Sequence, residues 1–286
     1  MKHLSGKVVV ITGAGSGIGR ALAIRLAKEG CHLALSDIDT TRLQETGTLV
    51  SAFKVKVSCH QVDVSNKNQM YAHADEVAKT HGRVDMIINN AGVSVTDSVA
   101  NVSYEDFEWL MGINFWGVVY GTKAFLPHLK KQVEGHVVNI SSVNGFSPWP
   151  NHSPYCSSKF AVKGFTESLL QECDGSSIRV SCVHPGGIKT NIARNSRFHE
   201  AANKGIDKEA AVKFFDNKLA KTTADKAADI IVRGIQKNKR RILVGQDAFI
   251  LDWMHRLFSV SFCQAGGSYH QKRRVNCSLA LVLRWI

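Results

Sequence analysis

The sequence predicts a doubly wound α/β fold, a mostly parallel sheet with helices on both faces. Three observations predict it. Short strand-like runs alternate with longer helix-like stretches through most of the 286 residues, the pattern of strand–crossover–strand units. Several of those runs are nearly continuous apolar stretches, as strands covered on both faces require. The first run also leads straight into a glycine-rich turn and then a helix.

Taken in order, the strands read as Val8–Ile11, His32–Ser36, Val57–Val62, Val84–Asn89, His136–Ile140, Arg179–Val183 and Arg240–Val244. The helical patterns between them are Ile18–Glu29, Thr41–Phe53, Lys67–His81, Tyr104–Lys131, Tyr155–Cys173 and Ala224–Lys237. No repeat, low-complexity tract or linker interrupts the series, so residues 1–246 read as one domain. Two regions break the rhythm. Residues 189–221 read as a mostly helical insert where a lid would lie. Residues 247–286 begin as an amphipathic helix (Phe249, Ile250, Trp253, Met254, Leu257, Phe258) and end in an atypical basic tail.

Composition excludes several classes. Hydrophobic content of 44% and charged content of 21% are those of an ordinary globular chain. No apolar run reaches the roughly 18 residues needed to cross a bilayer. Met1–Lys7 holds no apolar signal core, so the expected location is the cytoplasm. The seven cysteines are odd in number, scattered and without a C-x-x-C pair, which reads as reduced thiols. The twelve histidines show no ligand spacing, and no metal is expected. Net charge is +12, and more than half comes from Lys237 onward, where nine Lys or Arg face two Asp. No basic recognition element with interleaved aromatics is visible, so nucleic acid is not an expected partner. The basic tail allows weak association with an acidic membrane surface.

The chemistry begins in Thr12-Gly13-Ala14-Gly15-Ser16-Gly17-Ile18-Gly19, between the first strand and its helix. Glycines at such a turn admit a pyrophosphate close to the backbone, and the helix start offers unpaired N–H groups. Asp37 closes the second strand eighteen residues later. A carboxylate there suits the adenosine ribose hydroxyls and repels a 2′-phosphate, and positions 16 and 38 hold Ser and Ile rather than a cation. NAD is therefore expected over NADP. Asp37 would also serve as a cap for the turn that follows.

Tyr155 and Lys159 sit four residues apart just after Pro154, on one face of a helix. A free phenol titrates near 10, and an adjacent ammonium brings it toward neutral pH. Ser142, thirteen residues upstream at a strand end, can donate to a substrate carbonyl. Ser141 is the alternative, since neighbouring strand residues face opposite ways. Asn89-Asn90-Ala91-Gly92 ends the fourth strand, at the sheet edge where such folds bind ligands. Asn114 interrupts an apolar helix and reads either as a structural hydrogen bonder or as a link in a proton path.

Together these residues resemble the short-chain dehydrogenase/reductase family in its compact single-domain branch. The matching motifs are Thr12-Gly-Ala-Gly-Ser-Gly-Ile-Gly19, Asp63, Asn89-Asn-Ala-Gly92, Asn114, Ser142, Tyr155-x-x-x-Lys159 and Pro185-Gly186, over roughly residues 5–245. The resemblance implies a Rossmann fold and a catalytic tetrad. Tyr155 would be the acid/base and Ser142 would polarise the carbonyl. Lys159 would lower the Tyr155 pKa and bind the nicotinamide ribose, and Asn114 would hold a relay water. It further implies that Gly13, Ser16, Gly17, Ile18, Gly19 and Asp37 hold the phosphates and ribose. Asp63 and Val64 would contact adenine, and Asn90, Ala91 and Gly92 would line the adenosine side. Pro185, Gly186, Ile188 and Thr190 would hold the carboxamide. Many members assemble into dimers or tetramers through their long helices, here 104–131 and 155–173.

The substrate pocket is expected to be roofed by Val143, Asn144, Phe146 and Trp149, by Val93–Thr96 and by the insert. That apolar and aromatic wall suits a lipophilic alcohol or carbonyl such as a steroid, retinoid or fatty chain. Phe214, Phe215 and Leu219 read as core packing rather than substrate contacts. Two other classes compete with an active oxidoreductase: a catalytically silent NAD(P)-binding regulatory protein and a membrane-associated scaffold. A methyltransferase ranks last, because its chemistry has no use for the Ser/Tyr/Lys set.

Overall fold

The computed structural model describes residues 1–199 and 207–257. The basic tail from residue 258 onward lies outside the described residues, as does part of the 189–221 insert. Strand β1 (Val8–Thr12) is followed by α1 (Gly17–Lys28), β2 (His32–Asp37), α2 (Thr40–Ser51), β3 (Val57–Gln61), α3 (Lys67–His81) and β4 (Met86–Asn89). The second half holds β5 (Val95–Thr96), α4 (Tyr104–Met111), α5 (Gly117–Leu129), β6 (Gly135–Ile140), α6 (Ser153–Glu172) and β7 (Ile178–Pro185). Short strands β8 (Ile188–Lys189) and β9 (Arg197–Phe198) lead to α7 (Lys208–Phe214), β10 (Thr222–Thr223), α8 (Ala224–Gln236), β11 (Arg241–Val244) and α9 (Gln246–Leu257).

Seven strands form one sheet in the order β11-β7-β6-β4-β1-β2-β3, and every pairing in it is parallel. The apolar runs are continuous because each strand feeds two cores. Val9 and Ile11 of β1, Met86 and Ile88 of β4 and Val138 of β6 pack beneath α1 and α8. Val10, Ile87 and Val137 from the same strands face Met70, Ala74, Phe125 and Leu129 of α3 and α5. Chain order reverses between β1 and β4, and in open α/β sheets ligands bind at the carboxyl ends of such a switch point. Thr12, Gly13 and Asn90 all lie there. Among the described residues no helix is long and apolar enough to cross a membrane.

The structure corrects four expectations about elements. Helix 104–131 is not continuous: residues 112–116 form a π turn between α4 and α5. The fourth strand starts at Met86, because Asp85 turns its carboxylate onto Val8 N–H, Lys7 and Arg83. Among its described residues the insert is not mostly helical; β8 pairs with β10 and β9 with β5. Neither α7 nor the π turn after it, residues 215–219, buries a residue, so Phe214, Phe215 and Leu219 are not core.

Candidate active site

The glycine turn is built for close approach. Gly17 adopts φ +54, and a Cβ there would lie 3.1 Å from Thr190 Cγ2, so the turn and the segment after β8 already touch. A Cβ on Gly19 would lie 2.0 Å from the Gly13 carbonyl oxygen. Helix α1 then starts with no acidic residue in its first turn and with Ser16 at the N-cap making no side-chain bond. Its N–H groups and partial positive charge are therefore open to an anion, Ile18 lying in that first turn. Asn90 stitches the turn to β4: its Nδ2 donates to the carbonyls of Thr12 (2.9 Å) and Gly13 (3.1 Å). Thr12 Oγ1 returns the contact, accepting from the N–H groups of Asn90 (3.0 Å) and Ala91 (3.1 Å).

Asp37 does two things at once. Its Oδ2 accepts from Gly15 N–H at 2.8 Å, and its Oδ1 accepts from Asp39 N–H at 3.0 Å. It braces the glycine turn as well as capping the turn before α2. Asp63 Oδ1 accepts from Ser65 N–H (2.9 Å) and Oγ (2.7 Å) ahead of α3. Val64 is buried at 8% exposure and packs against Gly117, where a Cβ would lie 2.9 Å from Val64 Cγ2.

Helix α6 carries Tyr155 and Lys159. It begins with Pro154 in its first turn, where proline's fixed φ favours helix and its missing N–H costs nothing. Lys159 is 4% exposed and donates from Nζ to the Ile140 carbonyl at 3.0 Å. That bond anchors it to the end of β6, beside the serines. Alternation then separates them as strand geometry demands. Ser141 donates to the Lys159 carbonyl at 2.8 Å and faces the helix. Ser142 stands close enough to the Tyr155 hydroxyl to act on its pKa. Ser142 Oγ also accepts from Asn144 N–H at 3.1 Å, which leaves its own O–H to be donated outward.

Electrostatics here differ from the sequence expectation. Burial pushes Tyr155 up to about 12, with Ser142 opposing it. Burial also pulls Lys159 down to about 8. Lys159 Nζ stands 5.6 Å from the centre of the Tyr155 ring, so the ammonium faces the ring and is not what moves the phenol. Asn114, fully buried in the π turn, grips the chain after β4: its Oδ1 accepts from Val93 N–H (2.8 Å) and its Nδ2 donates to the Val93 carbonyl (3.0 Å) and Ser158 Oγ (3.2 Å). The structural role weighed for it is filled. Gly92 marks where the groups converge, since a Cβ there would lie 3.3 Å from Asn114 Oδ1 and 3.6 Å from Lys159 Nζ.

Two roof residues are placed otherwise than expected. Val143 and Phe146 pack with Ala248 and Leu251 of α9. Helix α9 accordingly buries those two residues and exposes Phe249, Trp253 and Leu257, the reverse of the face that hydrophobicity suggests. Asn144 stays beside Ser142, and Trp149 N–H lies 3.5 Å from Cys156 Sγ on α6. Sequence reasoning missed His184. Its Nδ1 donates to the Ser142 carbonyl at 3.0 Å, and burial holds its pKa down to about 4. The residue immediately precedes Pro185-Gly186, but nothing in the sequence gives its direction. Among the described residues no group of three or more His, Cys, Asp or Glu is placed to hold a metal.

The family model for short chain dehydrogenases matches residues 7–201, two thirds of the chain. The chain belongs to the short-chain dehydrogenase/reductase family. Similar proteins include SadH of Mycobacterium tuberculosis, named as an oxidoreductase, at 44% identity over 92% of this chain and 94% of that protein. Estradiol 17-beta-dehydrogenase 11 of Rattus norvegicus is 31% identical over 99% of this chain and 88% of that one. Among solved structures, a Burkholderia phymatum short chain dehydrogenase/reductase in complex with NAD superposes with TM-score 0.80 at 28% identity, covering 97% and 99% of the two chains. A Thermococcus sibiricus alcohol dehydrogenase complexed with 5-hydroxy-NADP gives 0.71 at 27% identity, covering 84% and 96%. All are members or neighbours of one family fold.

Proposed function

We propose that this short-chain dehydrogenase is an NAD(P)-dependent oxidoreductase that interconverts a secondary alcohol and a ketone or aldehyde. The observation that carries the reading is the gathering of Ser142 and Lys159 about one phenol: Ser142 opposes the effect of burial on Tyr155, and the Lys159 ammonium stands 5.6 Å from the centre of its ring, beside a turn that fits a dinucleotide. The site fits a nicotinamide dinucleotide: the α1 N-terminus is open, Gly17 admits backbone contact, and Lys159 Nζ keeps donors beyond its Ile140 bond. When bound, the nicotinamide would supply or accept a hydride; the protein's part is alignment and proton handling.

Tyr155 holds its proton at neutral pH and gives it to a carbonyl oxygen during reduction. Ser142 donates to the same oxygen and stabilises the charge that grows on it. Lys159 binds the nicotinamide ribose, Asn114 positions the 93–96 wall, and residues 185–190 receive the carboxamide end. Asp63, Val64, Asn90, Ala91 and Gly92 line the adenosine side. Asp37 favours NAD. Asn144 and Trp149 border the substrate, whose lipophilic character is supported by the apolar wall and by the estradiol dehydrogenase among the relatives. Trp116 and Phe160, 47% and 41% exposed, support assembly into a homo-oligomer through the 104–131 and 155–173 helices.

The test is an absorbance assay of NADH and NADPH against lipophilic ketones and alcohols, with Y155F run alongside. Turnover that Y155F reduces at least about a hundredfold is expected. Tight NADH binding with no turnover across the panel would favour the silent regulatory protein instead.

A further inference from the structure

We propose that Asp247, in the first turn of α9, is a positioning residue for the nicotinamide end of the cofactor, acting through the backbone at Gly186 and Gly187. The inference rests on the reading above, in which residues 185–190 receive that end. Gly187 N–H donates to Asp247 Oδ2 at 2.6 Å across sixty residues of sequence. Gly186 N–H donates to the Val244 carbonyl at 2.9 Å, and the Gly187 carbonyl accepts from Thr222 N–H at 3.2 Å. The segment's backbone is thus held largely by residues beyond 220.

The carboxylate is wedged between two glycines. A Cβ on Gly186 would lie 2.1 Å from Asp247 Oδ2, and one on Gly245, which adopts φ +103, would lie 2.4 Å from Oδ1. No side chain fits at either place, so the glycine of Pro185-Gly186 serves Asp247 as well as any ligand. A bland alternative is that Asp247 merely places negative charge at a helix start. A cap bonds to N–H groups of its own helix, whereas this carboxylate bonds to Gly187.

The rest of α9 reinforces the arrangement. Ala248 and Leu251 pack on Val143 and Phe146, directly after Ser142. Asp252 pairs with Arg241, whose guanidinium lies 5.0 Å from the Phe146 ring centre. His184 meets the same ring edge-on at 5.4 Å and donates to the Ser142 carbonyl. One helix therefore backs both segments that flank the reacting centre, and Asp247 is its contact with the carboxamide side.

ADP-ribose shares every part of the cofactor except nicotinamide, so the ratio of the two affinities isolates that end. The experiment titrates NADH and ADP-ribose (or NADPH and 2′-phospho-ADP-ribose, if wild type takes NADPH) against wild type, D247A and D247N, with melting temperatures recorded. Wild type is expected to bind NADH more tightly than ADP-ribose. D247A should lose about tenfold in NADH affinity, the worth of one hydrogen bond to a charged group, with ADP-ribose affinity unchanged. D247N keeps an acceptor oxygen toward Gly187 and should fall between; it is read alone if D247A does not fold. Equal losses for both ligands, or a lower melting temperature with no change in the ratio, would overturn the assignment while the oxidoreductase reading stands. A wild-type protein that binds neither NADH nor NADPH would overturn that reading itself.

Discussion

Tyr155 and Lys159 carry opposite perturbations with one cause. Burial disfavours charge on both, raising the phenol to about 12 and lowering the ammonium to about 8. The sign for activity follows. Lys159 is charged below about 8 and loses its proton as pH rises through that value, while Tyr155 keeps its own well beyond. Carbonyl reduction should therefore decline above pH 8 on the Lys159 limb, long before the tyrosine titrates, and K159M should be inactive at every pH; a rate that holds level to pH 10 would count against this. Asp37 gives a second residue-scale outcome. D37S should narrow any preference for NADH over NADPH and also weaken NADH, because the carboxylate braces Gly15; Michaelis constants for both cofactors measure it. At this scale the sequence was informative where chemistry demands a residue type at a fixed spacing, as in Tyr155 and Lys159. It named Ser142 but kept Ser141 as an alternative, because direction depends on the Lys159 carbonyl that captures Ser141. His184 was illegible for the same reason, its role being set by a partner 42 residues away.

Elements were legible where their cause is local. The strands showed as apolar runs because both faces are covered. The π turn did not show, since Gly112–Trp116 contains nothing that a regular helix rejects. It forms where Asn114 is drawn onto Val93, a tertiary bond, and such turns often sit at functional sites. The insert's attachment was hidden likewise. Arg197 Nη1 donates to Asp106 Oδ1 at 2.6 Å, His199 Nε2 lies 2.7 Å from Oδ2, and the Arg197 guanidinium stacks 3.6 Å from the Trp109 ring centre. Burial alone would raise the Asp106 carboxyl, but the bonds from Arg197 and His199 outweigh it and hold the pKa below the usual range. R197A should loosen β9 from β5 and α4, raising KM for a bulky lipophilic substrate several-fold with cofactor affinity unchanged. Steady-state kinetics with a long-chain and a short-chain substrate separate the two effects. Equal changes for both substrates would show that the clasp does not shape the pocket.

For the whole molecule, buried histidines set the acid limit. Burial pulls His73 and His136 down to about 3, against about 6.5 in an unfolded chain. The folded state thus resists protons that the unfolded state accepts. Stability from these groups is complete above about pH 6.5 and is lost as pH falls toward 3. At pH 5 each of the two costs about 2 kcal/mol, against a total stability of about 5–15 kcal/mol for a typical domain. Urea midpoints should therefore fall between pH 7 and pH 5. H73L should flatten the slope, because both ring nitrogens of His73 lack a partner among the described residues; an unchanged slope would show that other groups govern it. The fold class was readable from composition and periodicity, which speak for the entire chain at once, whereas the sheet's order and the seat of α9 depend on distant pairings.

That seat has a consequence for how the protein comes into being. The ribosome delivers the glycine turn first and α9 more than two hundred residues later. A nascent chain paused before residue 246 has all seven sheet strands in hand, yet lacks the helix that backs the stretches after Ser142 and Pro185. Competence for the proposed chemistry would then arrive late in translation, and truncation products that still grip adenosine would be idle.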